Sequence, residues 1–472
     1  MGQPAAARRL ACFVAGLALD DVPGPVTAAA SRLTLDTLGN ALAATRERFG
    51  RAVIEVAERL GGARESTLLG RSARVAAANA VLANATLAHG LDFDDTREEA
   101  IVHTGCVAVP TALAVGEAVG ADGRAVLAAA VAGVEVMCRL GLAVPGALHA
   151  RHFHPTAITS SFAAAAAAGR LYGLTEDQLV HAFGICGSQA SGIIEYLADG
   201  SWTKRLHPGW GAHAGVVATF LARAGFSGPT TVIEGEHGLY AAFAGGHDAG
   251  RLEAALDSLG RTWELPALTL KPYPCGSIAQ PYMDCALRLR ERVRPSQIAA
   301  VRCRTAAGPV PRLWEPLAAK QAPPNGYAAK FSLPYLLATI LVRGRAGLAE
   351  FADEAVRDPD VLTVARRVTY ELDATIDYPR QFVGDVEITL ADGRGLRERQ
   401  DRPRGGAEAP LTRAEVETKF RGNAGLALPP DRVEAAIRAV DGLAGGAPLA
   451  GLLASLTDPA AGIPLAASEE RR

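Results

Sequence analysis

An acidic cluster between two histidines is the part of this sequence richest in groups that can transfer protons or bind a metal ion. The stretch "LAHGLDFDDTREEAIVHTG" (residues 87–105) places five acidic residues between His89 and His103. Carboxylates and imidazoles at this density are typical of three things: a metal site, a metal-free acid–base site, or a solvated acidic loop. The stretch alone leaves all three open.

Spacing singles out some of these residues. The alanine-rich run 76–89 contains no proline or glycine and predicts a helix. His89, Asp92 and Thr96 are spaced i, i+3, i+7, so a continuing helix would place them on one face. His103 follows in a glycine-bounded loop. The other acidic residues are expected to be solvated or structural: Asp94, Asp95, Glu98 and Glu99.

One hypothesis of metal binding rests on a recognised sequence motif. The residues "DDTRE" (94–98) match the DDxxE box of helical isoprenoid synthases, whose carboxylates one helical turn apart hold magnesium. The sequence has no second magnesium box, and a diphosphate site would leave the β-rich second half unexplained. The seven cysteines include no CxxC pair, which argues against a zinc or iron–sulfur cluster. We therefore expect neither a metal nor another cofactor.

Basic and imidazole side chains recur just before helices rich in small residues. Free N–H groups at such helix N-termini attract anions. Several positive groups converging on one site would suit a substrate with two or three carboxylates. The residues in question are His152 and His154 in "RHFHPTAITSSFAAAAAAG", Lys204, Arg205 and His207 in "DGSWTKRLHPGWGAHAG", and Lys271 in "LKPYPCGS".

Bulk composition narrows the class of protein. The 472 residues are too many for one ordinary hydrophobic core, and 49% hydrophobic with 21% charged residues is typical of a soluble globular protein. A net charge of −2 gives no support to nucleic-acid binding, and scattered cysteines fit a reducing cytoplasm. Residues 1–24 are interpreted as a first helix rather than an export signal. Residues 126–144 contain Glu135 and Arg139, which favours a buried helix over a membrane span.

The patterns predict a mainly α protein with a second, α+β domain. Residues 1–266 give helix after helix, many apolar on most faces and therefore buried on several sides. Beyond that point β-branched residues alternate in several segments, and an Asp392-Gly393 turn predicts a hairpin. We expect a smaller α+β domain at 267–402. Residues 403–472 return to helix and are expected to dock on the first domain, making it discontinuous, with the end of the tail frayed.

Five segments taken together carry a family resemblance: "AHGLDFDDT" with its following histidine, "FHPTAITSSFAAAAAAGRLYGL", "WTKRLHPGWGAHAGVVATFLARAGFSGPTTVIEGEHGL", "LKPYPCGS" and "AKFSLPYLLATILVRG". From about residue 5 to 455 the sequence resembles the MmgE/PrpD family, which contains 2-methylcitrate dehydratases, cis-aconitate decarboxylases and iminodisuccinate epimerases. The resemblance implies a large helical domain completed by C-terminal helices, a smaller α+β lid domain and a homodimer.

The resemblance also implies a metal-free active site between the two domains. His103 would be the main acid–base, and Asp92 would orient a histidine or a departing hydroxyl, with Thr96 assisting. Fixed cations must stabilise the aci-carboxylate formed when a proton α to a carboxylate is removed. The residues expected to hold the substrate carboxylates by motif match are Lys204, Lys271 and His154, joined by Tyr335.

Two positions depart from the family pattern. The family follows its histidine after "DDT" with Pro-Gly, whereas this sequence has Thr104. Many members carry a histidine a few residues after "KPYPC", where this sequence has Gln280. Glutamine cannot carry charge or shuttle protons. If this position contacts substrate, the protein prefers a different acid from methylcitrate or runs a different reaction.

The leading functional hypothesis is a cofactor-independent lyase acting on a small di- or tricarboxylate, with hydro-lyase activity of the 2-methylcitrate dehydratase type first. Decarboxylation and epimerisation are the alternatives within the family. A non-catalytic carboxylate-binding protein is a distant alternative. We expect a cytoplasmic homodimer with no nucleic-acid or membrane partner.

Overall fold

The computed structural model describes residues 5–378 and 381–458, which form two compact units. The first takes in the residues up to Leu268 and those from Thr412 onward, and the second spans Thr269–Leu411. The sequence had placed these boundaries at 266 and 403. The fold is mainly α with an α+β part, as predicted. The tail that was expected to fray lies outside the described residues.

Helices build the first unit, together with a small hairpin of Ser66–Thr67 (β1) and Arg74–Val75 (β2). The helix predicted at the N-terminus is confirmed. The helices of this part are α1 (Ala6–Gly16), α2 (Gly24–Ala44), α3 (Arg48–Leu60), α4 (Ala77–His89), α5 (Gly105–Val119), α6 (Gly123–Leu142), α7 (Ala147–Ala150), α8 (Pro155–Leu171), α9 (Glu176–Gln189), α10 (Tyr196–Asp199), α11 (Thr203–Arg223) and α12 (Ala249–Asp257).

Small residues let the central helices approach closely. Helix α8 packs between α6 and α11, and α11 also packs on α4. A Cβ atom on Gly215 of α11 would lie 2.3 Å from the carbonyl oxygen of Ser161, and one on Gly209 would lie 2.1 Å from the Thr86 hydroxyl. Glycine at these positions therefore sets the spacing of the helices that carry the functional residues.

Within the described residues, α6 is the helix long and apolar enough to cross a membrane, and 89% of its most apolar stretch is buried inside the first unit. Two charged residues face the interior there. Glu135 accepts hydrogen bonds from the backbone N–H groups of Glu264 and Leu265, and Arg139 pairs with Glu135 at 3.2 Å. Paired charges of this kind fit a core helix.

The second unit carries a four-stranded sheet in the order β4-β3-β5-β6, in which β3 and β4 are parallel and the other pairs antiparallel. The predicted hairpin is confirmed, with its turn at Asp392 and Gly393 between β5 and β6. The elements are α13 (Gln280–Arg290), β3 (Ile298–Thr305), α14 (Val310–Leu313), α15 (Leu317–Gln321), α16 (Gly326–Ala329), α17 (Leu333–Arg343), α18 (Pro359–Ala365), β4 (Val368–Leu372), β5 (Gly384–Leu390) and β6 (Gly395–Gln400).

The chain then returns to the first unit through α19 (Arg413–Ala424), α20 (Pro430–Gly442) and α21 (Leu449–Ser455). Helix α19 packs along α2. Asn423 of α19 donates a hydrogen bond to the Asn40 side chain of α2 at 2.9 Å in the buried interior. The C-terminal helices are therefore part of the helical core.

Candidate active site

The acidic stretch is a loop rather than a helix beyond residue 89. Helix α4 ends at His89, and Asp92 adopts a left-handed backbone conformation with φ of 56°. The prediction that His89, Asp92 and Thr96 share one helical face is therefore wrong. Ile101 and His152 are the other two non-glycine residues with positive φ among those described. Such conformations cost about 1–3 kcal/mol each and concentrate at functional sites.

Asp94 lies at the centre of the loop and contacts two histidines. Its carboxylate oxygen is 2.6 Å from Nδ1 of His89 and 3.5 Å from Nδ1 of His103. The side chains of Asp94 and His89 are fully buried, whereas the His103 side chain is 11% exposed. Of the two expectations for Asp94, solvated or structural, the structural one therefore holds, and its carboxylate contacts both imidazoles.

The hydrogen bonds of His103 determine which of its nitrogens carries a proton. Its Nδ1 atom lies 2.7 Å from the backbone carbonyl oxygen of Asp95, which can only accept, so Nδ1 carries a hydrogen. The Thr96 hydroxyl is 3.3 Å from the same nitrogen, and the backbone N–H of His103 donates to the Thr156 hydroxyl. Of the two ring nitrogens, Nε2 is therefore the one that does not bond the Asp95 carbonyl oxygen.

The carboxylate of Asp95 holds the start of α5. It accepts from the backbone N–H and the hydroxyl of Thr104 and from the backbone N–H of Gly105. Asp95 is fully buried, so it is structural and not solvated. Burial, and then the nearby Asp94, raise its pKa to about 7 against these hydrogen bonds. The two remaining acids differ, since Glu98 is half-buried and Glu99 is exposed.

Lys204 faces this loop from the first turn of α11 and forms an ion pair with Asp92. The side chains of Lys204 and Asp92 are 15% and 14% exposed. The sequence had placed Lys204, Arg205 and His207 just before the helix, whereas the helix already begins at Thr203. Pro208 lies inside this helix, where it has no N–H to donate to the preceding turn.

His154 and His207 form a second imidazole pair. Their Nδ1 atoms are 3.1 Å apart, and His154 is the N-cap of α8. Burial, followed by the charges of His89 and Lys204, holds the pKa of His154 well below its ordinary value. The same causes lower the pKa of His207 to about 4. His154 is therefore a neutral imidazole, which can bind a carboxylate as an N–H donor but does not supply the positive charge expected from the sequence.

Helix α19 anchors the loop that follows α4. Lys419 donates to the backbone carbonyl of Phe93 at 2.6 Å and forms an ion pair with Asp36 at 2.7 Å. Asn40 donates to the same Phe93 carbonyl at 3.1 Å. Phe93 lies between Asp92 and Asp94, so these bonds fix the loop at its centre.

Three buried side chains lie close enough together to bind a metal ion. Atoms of His89, Asp94 and Cys106 lie within 4.8 Å of one another and are buried. The Cys106 thiol donates to the His103 carbonyl oxygen, and burial raises its pKa well above the ordinary value, which disfavours the thiolate that metals bind. The prediction of a metal-free site stays a prediction.

Three of the predicted substrate-binding residues belong to the second unit. Lys271 is 3% exposed. Gln280 is buried at the start of α13, and its amide donates weakly to the carbonyl oxygens of Tyr273 and Cys275, at 3.4 and 3.5 Å. Tyr335 is 1% exposed, and its hydroxyl donates to the Glu350 carbonyl oxygen at 2.7 Å. Their roles in substrate binding stay predictions.

Sequence reasoning undervalued His89, Asp94 and His207. His89 and Asp94 lie on either side of a turn. Helical spacing cannot predict which side chains such a turn brings into contact. His207 follows Lys204 by three residues, and that i, i+3 spacing would have placed both on one helix face if α11 had been recognised as starting at Thr203.

The first unit is thus a helical domain that brings buried imidazoles and carboxylates together. The MmgE/PrpD N-terminal domain matches residues 8–252 and the MmgE/PrpD C-terminal domain matches residues 273–444. The chain belongs to the MmgE/PrpD family, which confirms the resemblance found in the sequence.

Named relatives of the chain cover most of its length. The chain is 26% identical over 444 residues to cis-aconitate decarboxylase of Aspergillus terreus, covering 89% of this chain and 90% of that protein. It is 27% identical to cis-aconitate decarboxylase of Mus musculus, with 91% and 89% covered, and 26% identical to that of Homo sapiens, with 92% and 90% covered.

Proposed function

We propose that the chain is a lyase that acts on a small di- or tricarboxylate by proton transfer at the carbon α to a carboxylate. The observation that carries this proposal is the arrangement of His103. Its Nδ1 hydrogen is held by the Asp95 carbonyl oxygen with Asp94 beside it, so its Nε2 atom can give and take a proton. A nearby carboxylate stabilises the imidazolium form and so supports both directions of transfer.

Lys204 would stabilise negative charge on the substrate. Loss or gain of a proton next to a carboxylate passes through an electron-rich aci-carboxylate, which a fixed ammonium group in a partly buried site stabilises. Lys204 is held in place by Asp92, and a substrate carboxylate would compete with Asp92 for it. His154 would add a neutral N–H donor. Lys271 is proposed as a second cation on the motif match alone.

Within this class we propose decarboxylation of a cis-aconitate-like tricarboxylate. The names of the relatives favour it over the dehydration placed first on the sequence. In this reaction the C–C bond to the carboxylate on the saturated carbon breaks and CO₂ leaves. The electron pair of that bond forms a new C=C bond, the pair of the old C=C bond moves to the far alkene carbon next to a carboxylate, and His103 delivers one proton to that carbon. One acid suffices for this step.

Dehydration is the second candidate. It needs a base for the α proton and a separate acid for the departing hydroxyl, and Asp92 was expected to orient a histidine or that hydroxyl. The ion pair between Asp92 and Lys204 holds that carboxylate as an anion, which cannot donate a proton. Epimerisation would need two acid–bases on opposite faces of the carbon.

Proton NMR of the purified protein in deuterated water separates these reactions. With cis-aconitate, we expect CO₂ release and a product with one deuterium on carbon. With 2-methylcitrate, loss of water and no CO₂ would replace decarboxylation by the hydro-lyase reaction. Deuterium exchange without either would indicate an epimerase. Turnover that a chelator abolishes would contradict the metal-free site.

A non-catalytic carboxylate-binding protein predicts that none of these acids is converted. In that case His103→Ala leaves the role intact, while Lys204→Ala abolishes ligand binding. A cytoplasmic homodimer without nucleic-acid or membrane partners remains part of this proposal. Light scattering during gel filtration measures the mass directly, and a monomeric mass of about 49 kDa would contradict the dimer.

A further inference from the structure

His207 lies next to His154 at the edge of the site, and the proposed proton transfer does not use it. It follows Lys204 by one turn of α11, and its ring centroid is 5.3 Å from that of His154. Tyr196 contacts both rings edge-on, with centroids 6.2 Å from His154 and 5.8 Å from His207. A Cβ atom on Gly192 would lie 3.4 Å from Nδ1 of His207, in ordinary contact, but 2.3 Å from the Cβ atom of Ala157.

The contact between the two rings restricts their protonation. Their Nδ1 atoms are 3.1 Å apart, so one of them carries a hydrogen and the other presents a lone pair. Two imidazolium rings would oppose one hydrogen against another at this distance. The burial of both rings and the positive charge of Lys204 also favour the neutral forms. The pair therefore has two states, and in each state the tautomer of one ring fixes the tautomer of the other.

We propose that His207 is a positioning residue that donates its Nδ1 hydrogen to His154 and so holds His154 as the Nε2–H tautomer, ready to donate to a carboxylate of a di- or tricarboxylate substrate. A carboxylate only accepts hydrogen bonds, so it binds this state and not the other. Without a donor at position 207, His154 distributes over both tautomers and offers the substrate a lone pair part of the time. This inference rests on the proposed function for its ligand class.

Substitutions at position 207 test the donor. His207→Asn keeps a side-chain N–H close to the position of Nδ1, whereas His207→Leu removes it at similar volume. His213→Leu is the matched control, because His213 lies on the same helix but bonds the Ala78 carbonyl oxygen. With propane-1,2,3-tricarboxylate as the probe in titration calorimetry, we expect Kd to rise tenfold or more in His207→Leu and less than threefold in His207→Asn and His213→Leu. KM should rise more than kcat falls.

The proposal is overturned if His207→Leu binds the probe as tightly as the wild type, or if His207→Asn binds as weakly as His207→Leu. A second measurement needs no ligand. In protein labelled with ¹⁵N-histidine at pH 7, the signals lost on substitution of His154 should be those of a neutral Nε2–H imidazole. An Nδ1–H or charged ring would contradict the assignment. If the wild type binds and converts no carboxylate, the proposed function fails while this spectrum still decides the tautomer.

Discussion

Thr104 donates two hydrogen bonds to a single carboxylate oxygen of Asp95, one from its backbone N–H at 2.9 Å and one from its hydroxyl at 2.8 Å. These bonds join the two ends of the segment from Asp95 to Thr104 that contains His103. The His103 ring itself bonds the Asp95 carbonyl oxygen. The proline that the family carries at this position has no N–H and no hydroxyl. Thr104 therefore provides two bonds that a proline could not, and they hold the segment that carries His103, the proposed acid–base.

Asp95→Asn should reduce stability in a pH-dependent way. The pKa of Asp95 is raised to about 7 in the folded state, above its unfolded value near 4. The stabilisation from this group is therefore complete below about pH 4 and is lost as pH rises through 7. Urea unfolding should show a larger difference between wild type and variant at pH 5 than at pH 8. A difference that grows with pH would contradict the raised pKa.

His103→Gln should abolish most of the activity without unfolding the protein. A positioned acid–base group contributes about 10²–10⁴-fold to rate, so kcat should fall by that range. His237→Gln, on an exposed histidine, is the control and should keep wild-type kcat. Steady-state kinetics with the substrate found above makes the comparison, and a His103→Gln enzyme with more than a tenth of wild-type kcat would remove His103 from the mechanism.

Lys204 and Asp92 should act as a unit. Lys204→Met removes the cation, and Asp92→Asn removes the group that holds it, so each should lower kcat/KM by about 10²-fold or more. In the double variant the losses should overlap rather than multiply, because residues in contact are energetically coupled. A double-mutant cycle on kcat/KM measures this, and strictly multiplicative losses would show that the ion pair is irrelevant to turnover.

Lys419→Met should destabilise the fold at the base of the site. It leaves Asp36 buried without its cation and the Phe93 carbonyl without that donor, and breaking a buried ion pair costs about 3–5 kcal/mol. Arg421→Met on the same helix breaks a half-exposed pair with Glu434 and should change the unfolding free energy by less than about 1 kcal/mol. Equal effects of the two substitutions in urea titrations would refute the role of Lys419 as an anchor.

The sequence could predict the fold class and the strands because those patterns are local. Alternation and the Asp392-Gly393 turn specified the hairpin of the second unit, and the long apolar helices indicated a buried helical core. The motifs also identified the family. For the site, the structure pairs Lys204 with Asp92 and places Thr96 beside His103, although a helix had been predicted where the loop lies. The catalytic roles of these residues stay predictions.

Tertiary structure alone decided which of these groups carry charge and which contact each other. The hydrogen bond from Lys419 to the Phe93 carbonyl joins residues 326 positions apart in the chain. The contacts of Asp94 with His89 and His103 depend on how the loop turns after α4. The neutral state of His154 depends on desolvation and on neighbouring charges. Desolvation and long-range pairing are properties of packed surroundings, so no spacing in the sequence expresses them.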